Sequence, residues 1–386
     1  MLAAAQPCPV EPVAKPSKVL DALRRHTSAY VARHGFDPTS MHVLRQLCAC
    51  RTAKLGAHLC VCEGCGYRAP VYNSCRNRHC PQCQGHATAE WLRARTERML
   101  DTPHFQVVFT LPAQLRPLAR SHPQLVYDLM CRCAASVLQD LAAQRLRARL
   151  GITAVLHTWT SELAYHPHVH FLVTAGGLSL DDEERWVPTR QDYLFPVRVL
   201  GAMFRGRLLE ALLTALDRGD LDDADVPSVR ATLRKLAQLH PRWVVHVEPP
   251  RGRPVTAVTK YLARYVKRVA ISDARIVAVT DTTVTFRTRR GPLTLEGHEF
   301  VRRFLLHVLP KGLRKIRHYG LYAPGAAAAL ATARALLPTP ARAVDESTAE
   351  LSDTVRSLQA CPACGEHRLR HLFDRPVPPL PPRVPP

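Results

Sequence analysis

His168 and His170 in the string YHPHVHFLV are the first residues whose types and spacing suggest chemistry. In an extended strand, side chains at alternate positions leave on the same face. Both imidazoles can therefore meet one metal ion, while Val169, Phe171 and Val173 turn the other way into a core. Two imidazoles leave several metal positions open. Glu162 or His166, just upstream, is the expected third ligand, with phosphate oxygens and waters in the remaining positions. Taken alone, the same spacing also fits an ordinary half-exposed strand.

A second candidate is KYLARYVKR, where Tyr261 and Tyr265 fall one turn apart on one face of an expected helix. Lys260, Arg264, Lys267 and Arg268 surround them with positive charge. A phenol with a pKa near 10 is a poor nucleophile at neutral pH. It becomes a useful one when a metal draws electron density from the phosphate it attacks and nearby cations favour the phenolate. The bland alternative is a pair of aromatic rings packing a helix onto a sheet.

The third candidate is the run HLCVCEGCGYRAPVYNSCRNRHCPQCQ. Its two CxxC turns, Cys62/Cys65 and Cys80/Cys83, are separated by 14 residues. Each such turn presents two thiolates to one tetrahedral ion, so the spacing predicts a structural zinc held by these four cysteines. Further candidate ligands are Cys50, His58, Cys60, Cys75 and His79, enough for a second ion. A site closed by four thiolates has no open position, which assigns this region to structure and polyanion contact, with Lys54, Arg76 and Arg78 placed to reach phosphates. Another CxxC, Cys361/Cys364, has no obvious second pair in the sequence.

The rest of the chain has to position these groups. It has 386 residues, 46% of them hydrophobic, enough for a sizeable core and a second domain. The 13 cysteines come without a leader of signal-peptide type, so a reducing, cytoplasmic setting with thiols free for metal is expected. No apolar run reaches membrane-spanning length, and no membrane partner is expected. Lys and Arg total 53 against 32 Asp and Glu, a formal charge of +21, which points to a polyanionic partner and a nucleoid association.

Periodicity predicts two short helices over 18–47, broken at Asp37-Pro38, and a helix over 87–101. Strands are expected at FQVVFTLP, at 152–163, at 168–178 ending in a Gly-Gly turn, and from Trp243. Helices are expected over 123–149, 197–217, 227–239 and 255–269. A small meander should follow, then a helix in HEFVRRFLLHVLP. The mixture lacks regular βαβ crossovers, so the expected class is α+β with a mainly antiparallel sheet packed by helices. The Ala-rich run after Tyr322 is left as helix or tail, and the Pro-rich end as unstructured.

These strings in this order resemble the two-tyrosine, HUH-type rolling-circle transposases of the IS91 family of bacterial insertion sequences, HUH denoting histidine, bulky hydrophobic residue, histidine. The likeness runs from about residue 45 to residue 322. It is carried by CRTAKLGAH, YNSCRNRHCPQCQ, HTWTSELAYHPHVHFLVTAGGLS, FRGRLLEAL, YLARYVKRVAIS and EFVRRFLLHVLPKGLRKIRHYG. Ser161-Glu162 departs from the Gly-Gln common in the family.

Composition marks an unstructured leader over 1–17 and an Ala- and Pro-rich tail over 323–386, and the resemblance implies a zinc-binding domain, set at 18–101, followed by a nuclease domain, set at 102–322. It also implies that His168 and His170 hold Mg2+ or Mn2+, and that Tyr261 and Tyr265 attack single-stranded DNA at element ends through a 5′-phosphotyrosine bond. No GxxxxGK[ST] phosphate loop is present, so unwinding is expected from host replication and helicase proteins. The competing readings are a replication initiator or relaxase with the same chemistry, and a non-enzymatic zinc-dependent DNA-binding protein.

Overall fold

A computed structural model describes residues 17–83, 94, 97–190, 192–221, 226–239, 242–250, 270–338, 361, 363–366 and 369–371. The expected leader, the helix over 255–269 and most of the helix over 87–101 lie outside the described residues. The chain divides into two compact units, and both are discontinuous. The first draws on Met1–Glu90, Lys267–Val308 and Arg342–Pro386, the second on Trp91–Val266 and Leu309–Ala341.

Elements are numbered along the chain. In the first unit, α1 (Lys18–His34) starts at Ser17, whose hydroxyl accepts from the Leu20 amide, and stops at Gly35, with φ +77°. Asp37 caps α2 (Pro38–Ala49) by accepting from the Ser40 amide at 2.8 Å, with Pro38 in the first turn where its missing N–H costs nothing. The Asp37-Pro38 break is thus a stop and a restart. Strands β1 (Ala57–Cys62) and β2 (Arg68–Tyr72) pair antiparallel, and β12 (Leu369–His371) adds to the free edge of β1.

The meander of β8 (Ile276–Val279), β9 (Thr283–Thr288) and β10 (Gly291–Glu296), with α7 (Gly297–Leu305), also belongs to this first unit. Asp273 ties it to α1, accepting from the Ser17 hydroxyl and the Val19 amide at 2.8 Å each. The first compact unit thus takes in residues on both sides of the expected division at residues 101 and 102. The meander looks like a continuation of the nuclease segment in sequence, but its apolar face is completed by α1.

The second unit is built on an antiparallel sheet of strand order β11-β4-β5-β3-β7, formed by β3 (His104–Thr110), β4 (Ala148–Trp159), β5 (Tyr165–Ser179), β7 (Val245–Glu248) and β11 (Ile316–Gly320), with β6 (Trp186–Pro188) beside β5. Along β3, β4 and β5, Phe105, Val107, Phe109, Ile152, Ala154, Leu156, Val169, Phe171 and Val173 all enter one apolar core. That core is closed by α4 (Pro123–Arg145), α5 (Val197–Asp217) and α6 (Val226–Gln238), after the short α3 (Arg116–Ser121). Each large side chain buried there contributes about 1.5–3 kcal/mol.

Among the described residues, the opposite face carries a smaller apolar cluster. There Val155, Leu172 and Leu178 pack with Tyr322 and with Leu330 and Ala333 of α8 (Ala327–Ala335). The Ala-rich run is thus a packed helix, and the expected tail boundary at 322 falls inside the unit. No alternation in the sequence marks β11, because IRHYG lies within a basic stretch. No helix among the described residues is long and apolar enough to cross a membrane.

β5 runs through the Gly-Gly step instead of stopping there. A Cβ at Gly177 would lie 2.5 Å from the Arg149 carbonyl oxygen, and one at Gly176 2.7 Å from that of Val187. Glycine thus lets three strands close up where a side chain would push backbone away. Gly177→Ala is expected to lower unfolding stability by about 1–3 kcal/mol through overpacking. Gly206→Ala, on an open face of α5 with nothing within 4 Å of its added carbon, should raise stability by about 0.5–1 kcal/mol. Paired denaturant titrations would check the opposite signs.

Candidate metal centres

The β4–β5 hairpin sets the first centre. Its register places His157 directly opposite His168, with Val155 opposite His170. Val169 and Phe171 are anchored in the helix-covered core, so His168 and His170 emerge on the other face, and His157 emerges beside them. One ligand atom from each of the three rings lies within 4.8 Å of the others. The ring centroids are 4.4 Å apart for His157 and His170, 4.9 Å for His168 and His170, and 5.4 Å for His157 and His168.

Protonation suits metal binding. His168 donates Nδ1–H to the His166 carbonyl oxygen at 2.6 Å, which leaves its Nε2 lone pair for a metal. Burial pushes the His157 pKa well below the usual imidazole value, and the nearby His170, Lys315 and His168 act in the same direction, so this ring is neutral at physiological pH. Its plane stacks on Trp159 at 4.7 Å, and the Lys315 ammonium sits 5.0 Å from the far ring of that pair.

Neither expected third ligand joins the group. Glu162 lies in the turn between β4 and β5, where its carboxylate accepts from the Thr160 and Ser161 hydroxyls at 3.3 and 3.2 Å. The His166 Nδ1 accepts from the Arg116 guanidinium at 2.8 Å, and burial followed by that positive charge lowers its pKa. The third imidazole that the structure brings beside the pair is His157. The usable signal was a single imidazole inside ITAVLHTW, an otherwise apolar strand next to the HxH strand, but only the register makes it a partner.

The cysteines form two groups. Cys50, Cys75, Cys80 and Cys83 converge, with sulfur separations of 3.2 Å for Cys50 and Cys83, 3.6 Å for Cys75 and Cys83, and 3.5 Å for Cys80 and Cys50. A tetrahedral zinc with bonds near 2.3 Å requires sulfurs roughly 3.8 Å apart, so this group fits the ion. Contacts from Cys50, Cys75 and Cys80 hold the Cys83 thiol far below its ordinary range.

The structure does not bring Cys62 and Cys65 together with Cys80 and Cys83, the four cysteines expected from the sequence to share an ion. Cys62 and Cys65 converge with Cys361 and Cys364. Adjacent CxxC turns cannot reveal which pairs share an ion when each is completed by residues distant in sequence. Of the other candidates, His58 contacts the Asn73 side chain, Cys60 is buried in an apolar cluster, and His79 contacts Asn77. Lys54 and Arg76 are exposed, and Arg78 is half-buried beside them in sequence. Tyr261, Tyr265, Lys260, Arg264, Lys267 and Arg268 lie outside the described residues.

Comparison with known proteins bears on both centres. Residues 151–329 match the family described as "Putative transposase", and residues 22–111 match "Transposase zinc-binding domain". The chain is 40% identical over 382 residues to "Putative transposase y4qJ" of Sinorhizobium fredii (strain NBRC 101917 / NGR234), covering 92% of this chain and 96% of the relative. It is 30% identical over 308 residues to "Transposase for insertion sequence element IS801" of Pseudomonas savastanoi pv. phaseolicola, covering 75% of this chain and 72% of the relative. No solved structure matches.

The third-ligand question has a direct test. His157→Ala should weaken Mn2+ binding on the order of 100-fold, since losing a ligand should cost at least as much as the 10–100-fold typical of losing a ligand's supporting partner. Glu162→Ala and His166→Ala should stay within a few-fold of the unsubstituted protein. Calorimetric titration of zinc-loaded protein with Mn2+ gives the three affinities. Equal losses for Glu162→Ala and His157→Ala would show a carboxylate in the ligand set.

Proposed function

This chain belongs to the IS91 family of HUH rolling-circle transposases, and on that premise we propose that His157, His168 and His170 hold a divalent cation while Tyr261 and Tyr265 cut and rejoin single-stranded DNA at insertion-sequence ends. Metal-dependent nuclease and strand-transfer activity follows from the family. The observation that supports this placement is the convergence of three imidazoles on one sheet face, one of them fixed in the metal-ready tautomer.

Bound at the triad, Mg2+ or Mn2+ would polarise the scissile phosphate as a Lewis acid. The ligand set has consequences of its own. Three neutral imidazoles leave the full charge of the cation directed at the phosphate, and Lys315 and Arg116 flank the site with further positive charge. Nitrogen donors suit Mn2+ better than Mg2+, whose preference is for oxygen. The strand backbone holds the rings, so positioning is not left to loop conformation.

The chemical step belongs to the tyrosines. One phenolic oxygen forms a bond to the scissile phosphorus as the bond from phosphorus to the 3′-oxygen breaks. The phenolic proton is lost, the departing 3′-oxygen gains one, and the DNA 5′ end remains as a phosphotyrosine. The phosphodiester free energy is kept in that link, so rejoining needs no nucleotide cofactor. The second tyrosine, four positions along the chain, can act on another strand while the first is occupied. Lys260, Arg264, Lys267 and Arg268, with Lys54, Arg76 and Arg78, would contact DNA phosphates, and host replication and helicase proteins would supply the opened strands.

Incubation with single-stranded element-end DNA and Mn2+ is expected to give a covalent protein–DNA adduct mapping by mass spectrometry to Tyr261 or Tyr265. The Tyr261→Phe and Tyr265→Phe single variants should retain folding and DNA binding, because phenylalanine removes only the hydroxyl. The double variant should form no adduct. Adduct formation by the double variant, or a nucleotide-linked peptide from elsewhere in the chain, would overturn the assignment.

A further inference from the structure

The segment Cys361-Pro-Ala-Cys364-Gly365 has no role in the chemistry above, yet it repeats the pattern of Cys62-Glu-Gly-Cys65-Gly66. The two segments also match in backbone geometry. In the first, the Gly66 amide donates to the Cys62 carbonyl at 2.9 Å and the Cys62 amide to the Tyr67 carbonyl at 2.8 Å. In the second, the Gly365 amide donates to the Cys361 carbonyl and the Cys361 amide to the Glu366 carbonyl, both at 2.8 Å. Gly66 and Gly365 have φ of +71° and +75°, a conformation that favours glycine. Two turns of one geometry thus face each other from opposite ends of the sequence.

The sulfurs meet as a zinc ion would require. Cys62 and Cys364 are 3.7 Å apart, as are Cys65 and Cys361, close to the roughly 3.8 Å of a tetrahedral thiolate site. Cys62 and Cys361 are buried and Cys65 and Cys364 exposed, so a centre would lie at the edge of the apolar cluster around Cys60 and Val71. Beyond the turn, β12 pairs with β1 through Cys60 opposite His371 and Cys62 opposite Leu369.

We propose that Cys62, Cys65, Cys361 and Cys364 bind a second structural zinc, which fastens the distant C-terminal segment onto the N-terminal hairpin. The sequence match to a zinc-binding domain ends at residue 111 and does not include the C-terminal pair. The site joins residues separated by about 300 positions, the range over which loop closure without a crosslink costs most entropy. Among the described residues the three short strands share only a small apolar cluster, so metal binding here would also stabilise the fold of the ribbon.

The full-length protein, purified without an affinity metal, should contain about two zinc ions per chain. Differential alkylation read by mass spectrometry should find Cys361 and Cys364 protected together with Cys62 and Cys65, and all four labelled after chelation. Cys361→Ser/Cys364→Ser should lose about one zinc and expose Cys62 and Cys65, while Cys50, Cys75, Cys80 and Cys83 stay protected. Cys364→His, which restores a zinc ligand, should recover the second ion. A zinc content of about one with Cys361 and Cys364 freely alkylated in the unsubstituted protein would overturn the proposal. So would an unchanged zinc content in the double serine variant.

Discussion

The register between β4 and β5 is the constraint on which the histidine centre depends. His157 faces His168 across the hairpin because Leu156 and Val169 are held in the core beneath them. A slip of one residue in a strand sends its whole set of side chains to the other face. Here that slip would bury an imidazole among Phe109, Phe171 and Phe204 and expose apolar residues in its place, a change costing several kcal/mol. The apolar side of the sheet therefore specifies the polar side. Flanking strands reinforce it: β3 pairs along β5 from His104 to Thr110, and β11 along β4 from Ile316 to Gly320.

Two donor chemistries are kept in separate units. Thiolates, soft and negatively charged, close tetrahedral zinc sites and leave no position for a reacting group. Neutral imidazoles on a strand face leave positions open and add no charge that would repel a phosphate. The formal charge of +21 supplies attraction for a polyanion over the whole chain, while on the proposed function the sheet would decide where one phosphate is handled. Neither centre is built on a loop of free conformation: the imidazoles are carried on strands, and the Cys62 and Cys361 turns are pinned by backbone hydrogen bonds.

What the sequence revealed was the local part. The HxH strand, the CxxC turns, the Asp37-Pro38 break and most helices depend on residues within one element, and their patterns could be seen there. His157 became a candidate only through strand pairing, while Glu162 and His166 were nearer in sequence and drew the expectation. Cys361 and Cys364 looked isolated because their partners lie 296 and 302 residues away. The discontinuous first unit escaped for the same reason, since β8 to α7 complete a surface begun by α1. The Gly-Gly step reads as a turn, but three closely approaching strands also require glycine. Recognition of the tyrosine pair rests on the string YLARYVKRVAIS and on the family.

The most direct test of this account counts the donors on the bound cation. Pulsed electron paramagnetic resonance of Mn2+ on zinc-loaded, full-length protein carrying isotope-labelled histidine resolves the nitrogens coordinated to the metal. The account predicts three imidazole nitrogens, from His157, His168 and His170. Two imidazole nitrogens with a carboxylate completing the protein ligands would contradict it, because the strand register would then not be what builds the site.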